Sequence, residues 1–386
     1  MNKKSSIKIL LLLFIIQFVL LSWDVQGDCG SMQSLALNSD SISEGWLDGP
    51  HYKWLNDNWI KMTYYKYNEE NGEISKKVRF SRQKEDEFYI EGKFGDERSY
   101  FLEKELRIPE YEYKDVNDIF VVGDVHGEYH KLISLLKKSG IINAKLEWQY
   151  GQGHLVFMGD IFDKGQSVTE CLWFIKGLSS QAEKAGGKIH KIIGNHEIMN
   201  LTKVFHYNTK KYELLRQEYP KDFNELYGIN TELGSWIRTW SSVLKIDDKL
   251  FVHGGISPQF LKADITKEEI NTLIRKYLNG EIHNQDTSKV DIILENYGPF
   301  MYRGYLKEGA DYPLISEIEI DRILEDYGVR HIIFGHTERK QFSILFDKKL
   351  IGIDVPLRFK GISEQALHFI GKDIYKVYSD GSKIKI

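Results

Sequence analysis

The pattern of apolar and polar residues changes three times along the chain, and the first change falls within the first thirty residues. A basic start precedes an apolar run over residues 9–21, which only Gln17 interrupts. This run is too short to cross a bilayer comfortably, and small residues follow it, as is typical of a cleavable signal peptide. The sequence therefore predicts a signal peptide over residues 1–27 and a mature chain that starts near Asp28. An uncleaved anchor and a lipidated Cys29 stay open as alternatives.

The second region alternates aromatic and polar residues and predicts a small antiparallel β module. A stretch rich in Ser, Gly and Asp, residues 28–49, reads as a linker to this module, which we place at residues 50–115. A two-residue period is clear over residues 59–65, and the pair Asn71 and Gly72 predicts a hairpin turn between strands. We expect the aromatic side chains to pack on strand faces and assign them no chemistry.

From residue 116 to residue 386, short β-branched runs alternate with amphipathic stretches, which predicts an α/β domain. Five of these runs end in a glycine-containing turn. They cover residues 119–122, 155–158, 189–193, 250–252 and 332–334. Ligands bind at the carboxyl ends of strands in open α/β sheets, and glycine allows the sharp turn that this requires. We therefore expect the five turns to converge on one site.

The side chains in these turns are oxygen and nitrogen ligands. They are Asp124, His126, Asp160, Asn195, His253 and His336. Such a set suits Mn, Fe or Zn, and it is large enough for two divalent or mixed-valence ions if one carboxylate bridges them. His196 also lies in one of these turns; the other eight histidines lie outside the motifs, and we expect them to be structural or on the surface.

Charge and cysteine content exclude several other classes of protein. The formal net charge is −4 without a block of like charges, so a polymer of nucleic acid is not an expected partner. The two cysteines, Cys29 and Cys171, are too few for a disulfide-dense scaffold or a cysteine zinc site.

Taken in order, the motifs resemble those of the calcineurin-type metallophosphoesterases. The motifs are Gly-Asp-x-His-Gly from Gly123, Gly-Asp-x-x-Asp-Lys-Gly from Gly159, Gly-Asn-His-Glu from Gly194, His-Gly-Gly from His253 and Gly-His-Thr from Gly335. Within that superfamily the chain resembles the phosphoprotein-phosphatase branch, and its Shewanella-like protein phosphatases most closely. The match covers about residues 117–356. The resemblance implies a β-sandwich of two mixed sheets flanked by helices, with an insert at about residues 200–243 that covers the site.

Carried over position by position, the resemblance also implies residue roles. Asp124 and His126 would bind the first metal, Asp160 would bridge both, and Asn195, His253 and His336 would bind the second. His196 would protonate the leaving group and Asp163 would orient it, because a histidine bonded to a carboxylate keeps its proton near neutral pH. Arg303 and Lys164 would bind the phosphoryl oxygens.

Lys164 departs from the family pattern, which usually has arginine there. A lysine offers a point charge in place of a planar two-pronged donor, so the hold on phosphate is expected to be weaker or shared with Arg303. Around the site, we expect Glu197 and Asp354 to support the ligand loops. Arg238 is expected to be a packed, salt-bridged residue in preference to a phosphate contact.

The sequence thus predicts an exported, periplasmic or secreted phosphatase that uses a bridging hydroxide on a two-metal centre. Its substrate would be a phosphorylated protein, at Tyr or Ser/Thr, or a small phosphoester, and the chain would keep no stable membrane span after signal cleavage. The first alternative is a hydrolase of nucleotides or diadenosine polyphosphates. The second is a non-catalytic metal-binding module whose β module docks a partner.

Overall fold

A computed structural model describes residues 46–386 apart from residues 69, 83–88, 92–98, 103–105, 283–285 and 311. The predicted signal peptide over residues 1–27, the alternative lipidation site Cys29 and most of the predicted linker lie outside the described residues. Within the described part of the chain, no helix is both long and apolar enough to cross a membrane.

The described strands form two large sheets and two small ones. They are β1 (Trp46–Asn56), β2 (Trp59–Tyr67), β3 (Ile74–Arg82), β4 (Tyr89–Glu91), β5 (Ser99–Phe101), β6 (Glu112–Tyr113), β7 (Asp118–Val122), β8 (His154–Phe157), β9 (Lys188–Lys191), β10 (Val243–Ile246), β11 (Lys249–Val252), β12 (His331–Phe334), β13 (Ser343–Leu345), β14 (Leu350–Gly352), β15 (Gln365–Ile370), β16 (Asp373–Tyr378) and β17 (Lys383–Lys385). The five runs predicted from the sequence correspond to β7, β8, β9, β11 and β12.

Both large sheets are mixed, as expected. The first large sheet has the order β17-β16-β15-β7-β8-β9, and the second has the order β13-β14-β12-β11-β10-β6. In the first, β7, β8 and β9 are parallel, while β15 pairs antiparallel with β7. In the second, β11, β12 and β14 are parallel. Parallel pairing places the carboxyl ends of neighbouring strands at the same edge of the sheet.

Ten described helices accompany the sheets within the ranges given above. They are α1 (Tyr129–Lys138), α2 (Val168–Lys184), α3 (Asn195–Leu201), α4 (Lys210–Glu218), α5 (Pro220–Phe223), α6 (Glu232–Ile237), α7 (Pro258–Leu261), α8 (Lys267–Asn279), α9 (Thr287–Leu294) and α10 (Glu317–Tyr327). The ends of α8 follow from local sequence, because Thr266 and Glu269 form a capping box and Gly280 ends the helix at a φ of 74°. The same devices bound α10, with Ser316 before it and Gly328 after it.

The core between the large sheets consists of β-branched and other apolar side chains from both of them. Those with no measurable exposure include Ile119, Val121, Val156, Met158, Ile192, Leu244, Ile246, Phe251, Ile333, Ile351 and Leu367. In β7 the residues from Ile119 to Val122 are all fully buried, so both faces of this strand are covered. Such burial explains why the central strands read as continuous apolar runs. The predicted sandwich of two mixed sheets is confirmed.

The β module is a three-stranded antiparallel sheet in the order β1-β2-β3. The predicted turn joins β2 to β3, and Gly72 there has a φ of 71°. β1 begins at Trp46, so the sheet starts inside the stretch that the sequence assigned to a linker. β6, also within residues 50–115, pairs with β10 and thus belongs to the second large sheet.

Candidate active site

Five loops meet at one edge of the two large sheets, and each follows the carboxyl end of a strand. β7, β8 and β9 supply three loops from the first large sheet, and β11 and β12 supply two from the second. Eight of the ten predicted site residues are at most 4% exposed: Asp124, His126, Asp160, Asp163, Asn195, His196, His253 and His336. Lys164 and Arg303 are partly buried. The structure therefore brings the predicted residues together.

The backbone turns sharply at these strand ends. Five of the predicted residues have left-handed backbone, with φ values between 48° and 66°: His126, Asp160, Asp163, Lys164 and His336. A residue other than glycine costs about 1–3 kcal/mol in this conformation and persists only where its surroundings impose it. The concentration of such residues here is typical of a functional site.

Two glycines are required because carboxylates pass directly beside their backbone. A Cβ atom at Gly335 would overlap Asp124 Oδ1, and one at Gly194 would overlap Asp160 Oδ1. The glycines of the Gly-His-Thr and Gly-Asn-His-Glu motifs thus leave the space that the two predicted ligand carboxylates occupy.

Glu197 fastens two of the loops to each other. Its carboxylate accepts hydrogen bonds from the backbone N–H groups of Gly194 (2.7 Å), Asp160 (2.8 Å) and Ile161 (2.7 Å). Burial, followed by the charge of Asp160, raises the pKa of Glu197 to about 7. The three backbone donors favour the ionised form and hold the loop after β8 against the start of α3. The expectation that Glu197 supports a ligand loop is confirmed.

Three imidazole rings point one nitrogen toward a single oxygen, Asp160 Oδ2. The Nε2 atoms lie at 3.3 Å for His253, 3.7 Å for His126 and 3.8 Å for His196. His336 completes a second group around the same carboxylate, in which the possible ligand atoms of Asp160, His253 and His336 all lie within 4.8 Å of one another. Asp160 therefore belongs to two adjacent groups, as a bridging ligand would.

The opposite nitrogens of the three predicted ligand rings are held by backbone carbonyls. His126 Nδ1 donates to Phe162 O (2.7 Å), His253 Nδ1 to Met158 O (2.8 Å) and His336 Nε2 to Met301 O (3.2 Å). Metal-ligating histidines usually donate their second ring N–H in this way, which fixes the tautomer and leaves a lone pair on the other nitrogen. The predicted ligand rings are thus held in the form that binds metal.

Around Asn195, the amide oxygen faces two imidazole nitrogens, which are also acceptors when the rings are neutral. Asn195 Oδ1 lies 2.9 Å from His253 Nε2 and 2.9 Å from His336 Nδ1. Because each ring already donates through its other nitrogen, a neutral ring presents a lone pair here. Three lone pairs that converge are stabilised by a cation, and neutral imidazole with amide and carboxylate oxygens suits Mn, Fe or Zn. The residues present therefore fit a metal centre of the predicted kind.

His196 differs from the other three rings in its partner. Its Nδ1 lies 2.6 Å from Asp163 Oδ2, a carboxylate instead of a backbone carbonyl. Asp163 also accepts hydrogen bonds from Asn200 (2.9 Å) and Asn208 (2.7 Å), and the ring of Tyr207 lies 5.0 Å from that of His196. Its distance to Asp160 alone does not show whether His196 is a metal ligand or a proton donor. Its hydrogen bond to the Asp163 carboxylate is the kind of contact that a proton donor needs.

The two predicted phosphate-binding cations are tethered by the protein. Lys164 Nζ lies 2.9 Å from Glu338 Oε1 and 2.9 Å from His126 Nε2. Glu338 also accepts two hydrogen bonds from Arg358 Nη2, at 2.6 and 2.7 Å. Arg303 donates from Nη1 to His336 O at 2.8 Å. The guanidinium of Arg358, which comes from another loop, thus lies near Lys164, because both cations contact the carboxylate of Glu338.

Negative charge is unevenly balanced across the site. Burial raises the pKa of Asp124 well above its usual range, and the neighbouring Asp354 raises it further. Burial acts in the same direction on Asp160, but His253 and His196 lower the pKa of Asp160 well below its usual range. The charge of Asp160 in turn raises the pKa of His253 to about 10, against the effect of burial. Before a metal binds, the histidines therefore favour ionised Asp160, and His253 must give up its second ring proton to become a ligand, whereas burial and Asp354 leave Asp124 poorly compensated.

Sequence reasoning missed the partners that the insert and other loops supply. Asn200 stands four residues after His196 on the same face of α3, a spacing that would have indicated contact. Asn208 and Arg358 carry no comparable signal in the sequence. Arg238 is packed as expected, but its hydrogen bonds in the described part of the chain go to the backbone carbonyls of three residues, so the expected salt bridge is wrong. The three are Leu278, Tyr227 and Gly234.

Comparison with known proteins relates the chain to phosphoesterases. The model of the calcineurin-like phosphoesterase family matches residues 118–339. The chain is 27% identical over 204 residues to Shewanella-like protein phosphatase 2 of Arabidopsis thaliana. The aligned region covers 42% of this chain and 52% of the relative. It is 26% identical over 231 residues to Shewanella-like protein phosphatase 1 of Plasmodium berghei, with 58% and 62% covered. The chain thus spans between about half and two thirds of the length of these curated relatives.

Among solved structures, the chain is similar to a cold-active protein-tyrosine phosphatase of a psychrophilic Shewanella species. The two superpose with a TM-score of 0.75 at 30% sequence identity, over 88% of this chain and 98% of the other.

Proposed function

Because the chain belongs to the calcineurin-like phosphoesterase family, we propose that it is a metal-dependent phosphatase that hydrolyses phosphomonoesters on a two-metal centre. We further propose that its substrates are phosphorylated proteins, at tyrosine or at serine and threonine. The names of the Shewanella-like relatives and of the Shewanella tyrosine phosphatase support this substrate class. The single observation that carries the reaction class is the convergence of imidazole nitrogens on two adjacent oxygen ligands, Asp160 Oδ2 and Asn195 Oδ1.

The proposed ligands divide between two ions that share Asp160. Asp124 and His126 would hold the first ion, and Asn195, His253 and His336 would hold the second. Bound there, Mn, Fe or Zn would lower the pKa of a shared water to make a nucleophile and would offset charge on the phosphoryl group. The carbonyls of Phe162, Met158 and Met301 keep the three ligand rings in place for this role.

His196 is the proposed general acid. Its Nδ1 donates to Asp163, so the proton on Nε2 is the one available to the departing alkoxide or phenoxide oxygen. Asn200 and Asn208 donate to the same carboxylate and keep it from turning away from the ring. Asp163 therefore positions His196 and stabilises the imidazolium.

Lys164 and Arg303 are the proposed phosphoryl-binding cations. Both lie at the partly buried side of the site, and both reach its ligand residues, His126 and His336 respectively. Charge on the phosphoryl oxygens grows toward the transition state, so preorganised cations that are held by the protein lower the barrier. The tethers to Glu338 and to the His336 carbonyl provide that preorganisation.

Phosphate release after metal removal and reloading tests the proposal. The chain is stripped of metal, reloaded with Mn²⁺ and assayed on a phosphotyrosine peptide, a phosphoserine peptide and a dinucleoside polyphosphate. We expect release from a peptide only after reloading, at a kcat/KM above that for the nucleotide. A preference for the nucleotide would replace the protein substrate by a nucleotide. Metal binding without turnover on any substrate would favour the non-catalytic module.

We also propose that the protein is exported, with residues 1–27 as its signal peptide. The support is the order of a basic start, a short apolar run and small residues. Expression of the full chain followed by N-terminal sequencing of the product tests this, and a mature start near Asp28 in a periplasmic or secreted fraction is expected. A product that keeps Met1 and stays with the cytoplasmic fraction would refute export.

A further inference from the structure

Among the described residues, the buried carboxylate of Asp354 has no hydrogen-bond partner. It follows β14, is 3% exposed, and neither of its carboxylate oxygens has a donor in the described part of the chain. Its backbone, by contrast, is fixed, because its carbonyl accepts a hydrogen bond from Arg339 N (2.9 Å) and the preceding Ile353 N donates to Phe334 O (2.9 Å). The position of Asp354 is therefore set by the sheet, and its side chain is left unsatisfied.

The segment that carries Asp354 passes directly beside the segment that carries Asp124. A Cβ atom at Gly123 would lie 2.7 Å from Ile353 O and 3.7 Å from Asp354 Cα, so the two backbones touch without a side chain between them. Asp124 itself accepts only long hydrogen bonds among the described residues, the shorter of which is 3.2 Å from His336 N. Two adjacent buried carboxylates thus share one side of the site.

The charged side chains that act on Asp354 supply too little positive charge. Besides Asp124, they are Glu338, Lys164, Asp160 and His253. Lys164 is already held by Glu338, and His253 is already paired with Asp160. A buried ionised carboxylate without a partner is strongly destabilised unless a cation compensates it.

We propose that Asp354 is a further carboxylate of the metal centre, which strengthens binding of the ion held by Asp124 and His126. This inference rests on the proposed function, because it presupposes the two-metal site. Outer carboxylates of this kind affect metal affinity through charge and through hydrogen bonds to ligands, and their loss typically weakens binding by roughly 10–100-fold. Asp354 is a positioning residue in this sense and takes no part in proton transfer.

The test compares Asp354→Asn with the unchanged full chain by Mn²⁺ equilibrium dialysis and by thermal unfolding. We expect two Mn²⁺ sites in both proteins, with one of them weakened by roughly 10–100-fold in the variant. The metal-free variant should unfold at a Tm no lower than that of the metal-free parent, because an unpartnered carboxylate stabilises nothing there. The rise in Tm on adding Mn²⁺ should be smaller in the variant.

Asp48→Asn is the matched control, because Asp48 is also fully buried but has cationic partners of its own. It should lower the metal-free Tm and leave the Mn²⁺ affinity unchanged. If Asp354→Asn has two Mn²⁺ sites of parental affinity, the inference about Asp354 is overturned, but the two-metal proposal is not. Failure of the parent to bind Mn²⁺ would overturn the two-metal proposal itself.

A metal-free Asp354→Asn protein that does not fold has two explanations: loss of a charge that stabilises the fold, which would contradict the inference, or poor fit of the amide. Asp354→Ser, which removes the charge with a smaller side chain, then decides between loss of charge and poor fit of the amide. If the Ser variant folds and its Mn²⁺ affinity is again parental, Asp354 has no role in the metal centre.

Discussion

Two buried groups of charged residues in this molecule are built in opposite ways. In the first, the carboxylate of Asp48 in the β module lies 2.9 Å from Lys211 Nζ and 2.7 Å from His51 Nε2. Burial acts to raise the pKa of Asp48, but Lys211 and His51 lower it below its usual value. In the second, Asp124 and Asp354 lie at the strand ends without comparable partners, and burial raises the pKa of both.

From this difference we infer that the first cluster supports the fold and that the second serves a ligand. The Asp48 cluster is neutralised by the chain itself and ties β1 to the insert. Lys211 also donates to Gln166 O (2.7 Å), close to the active-site loop. Burial disfavours the anions of Asp124 and Asp354 unless a cation compensates them. A buried cluster whose charges are not balanced by neighbouring side chains is therefore a better indicator of a binding site than a cluster whose charges are balanced.

Asp160→Asn should impair the protein more than any other substitution considered. This change removes the carboxylate shared by both groups of ligands, so it should lower metal occupancy as well as rate. The loss of kcat should exceed the roughly 10⁴-fold upper range for one general acid. Phosphate release and metal content of the same sample check the prediction. A variant that keeps both ions at full occupancy would refute the bridging role.

His196→Asn should affect the rate and spare the metal. Removal of one general acid typically lowers kcat by roughly 10²–10⁴-fold. The His196 ring lies beside the proposed ligands, but its Nδ1 is hydrogen-bonded to Asp163. The number of Mn²⁺ ions bound per protein molecule should therefore equal that of the parent. Steady-state kinetics and equilibrium dialysis measure the two quantities. Full retained activity would exclude His196 as the acid.

Asp48→Asn should leave the chemistry intact and destabilise the fold. The change leaves Lys211, which is 3% exposed, with Glu170 at 3.7 Å as its nearest remaining carboxylate. We expect a loss of about 3 kcal/mol in the free energy of unfolding, at the low end for a broken buried ion pair. Urea denaturation of metal-free protein measures it.

Asp222→Asn serves as its control, because the Lys76–Asp222 pair joins the same two regions in a partly exposed position. That variant should lose less than about 1 kcal/mol. Equal losses in the two variants would show that burial does not distinguish the pairs.

The smallest effect concerns the partly buried His154 and the buried His190, which contact each other and have no acidic partner among the described residues. His190 Nε2 lies 3.0 Å from His154 Nδ1, and burial lowers the pKa of His154 to about 4 and that of His190 well below 6.5. The unfolded chain therefore binds protons that the folded chain rejects. The contribution of these rings to the free energy of unfolding is fully present above pH 6.5 and is lost as the pH falls toward 4.

Accordingly, the metal-free His154→Gln variant should lose less stability between pH 7 and pH 5 than the parent does. Urea denaturation at both pH values measures this difference. The exposed His130→Gln variant should behave as the parent. Identical pH dependence in His154→Gln and the parent would show that this pair of rings does not set the acid sensitivity.

The sequence predicted the strands and the loops after them because both are local properties. An apolar run such as residues 119–122 marks a strand buried on both faces, and glycine followed by Asp or His marks a turn that only certain residues tolerate. The start of β1 at Trp46 was not predictable in this way, since Asp48, Gly49 and Pro50 are poor strand formers and this segment becomes a strand through pairing with β2.

The strand-end residues and the ligand chemistry that they share can be read from the amino-acid sequence. The side chains that complete this set become known only from the packing of the folded chain. Asp48 meets Lys211, Glu338 joins Lys164 to Arg358, and Asp354 meets the segment of Asp124, all across long stretches of chain. No local pattern encodes such contacts, because burial and charge balance depend on the packing of elements that are distant in sequence.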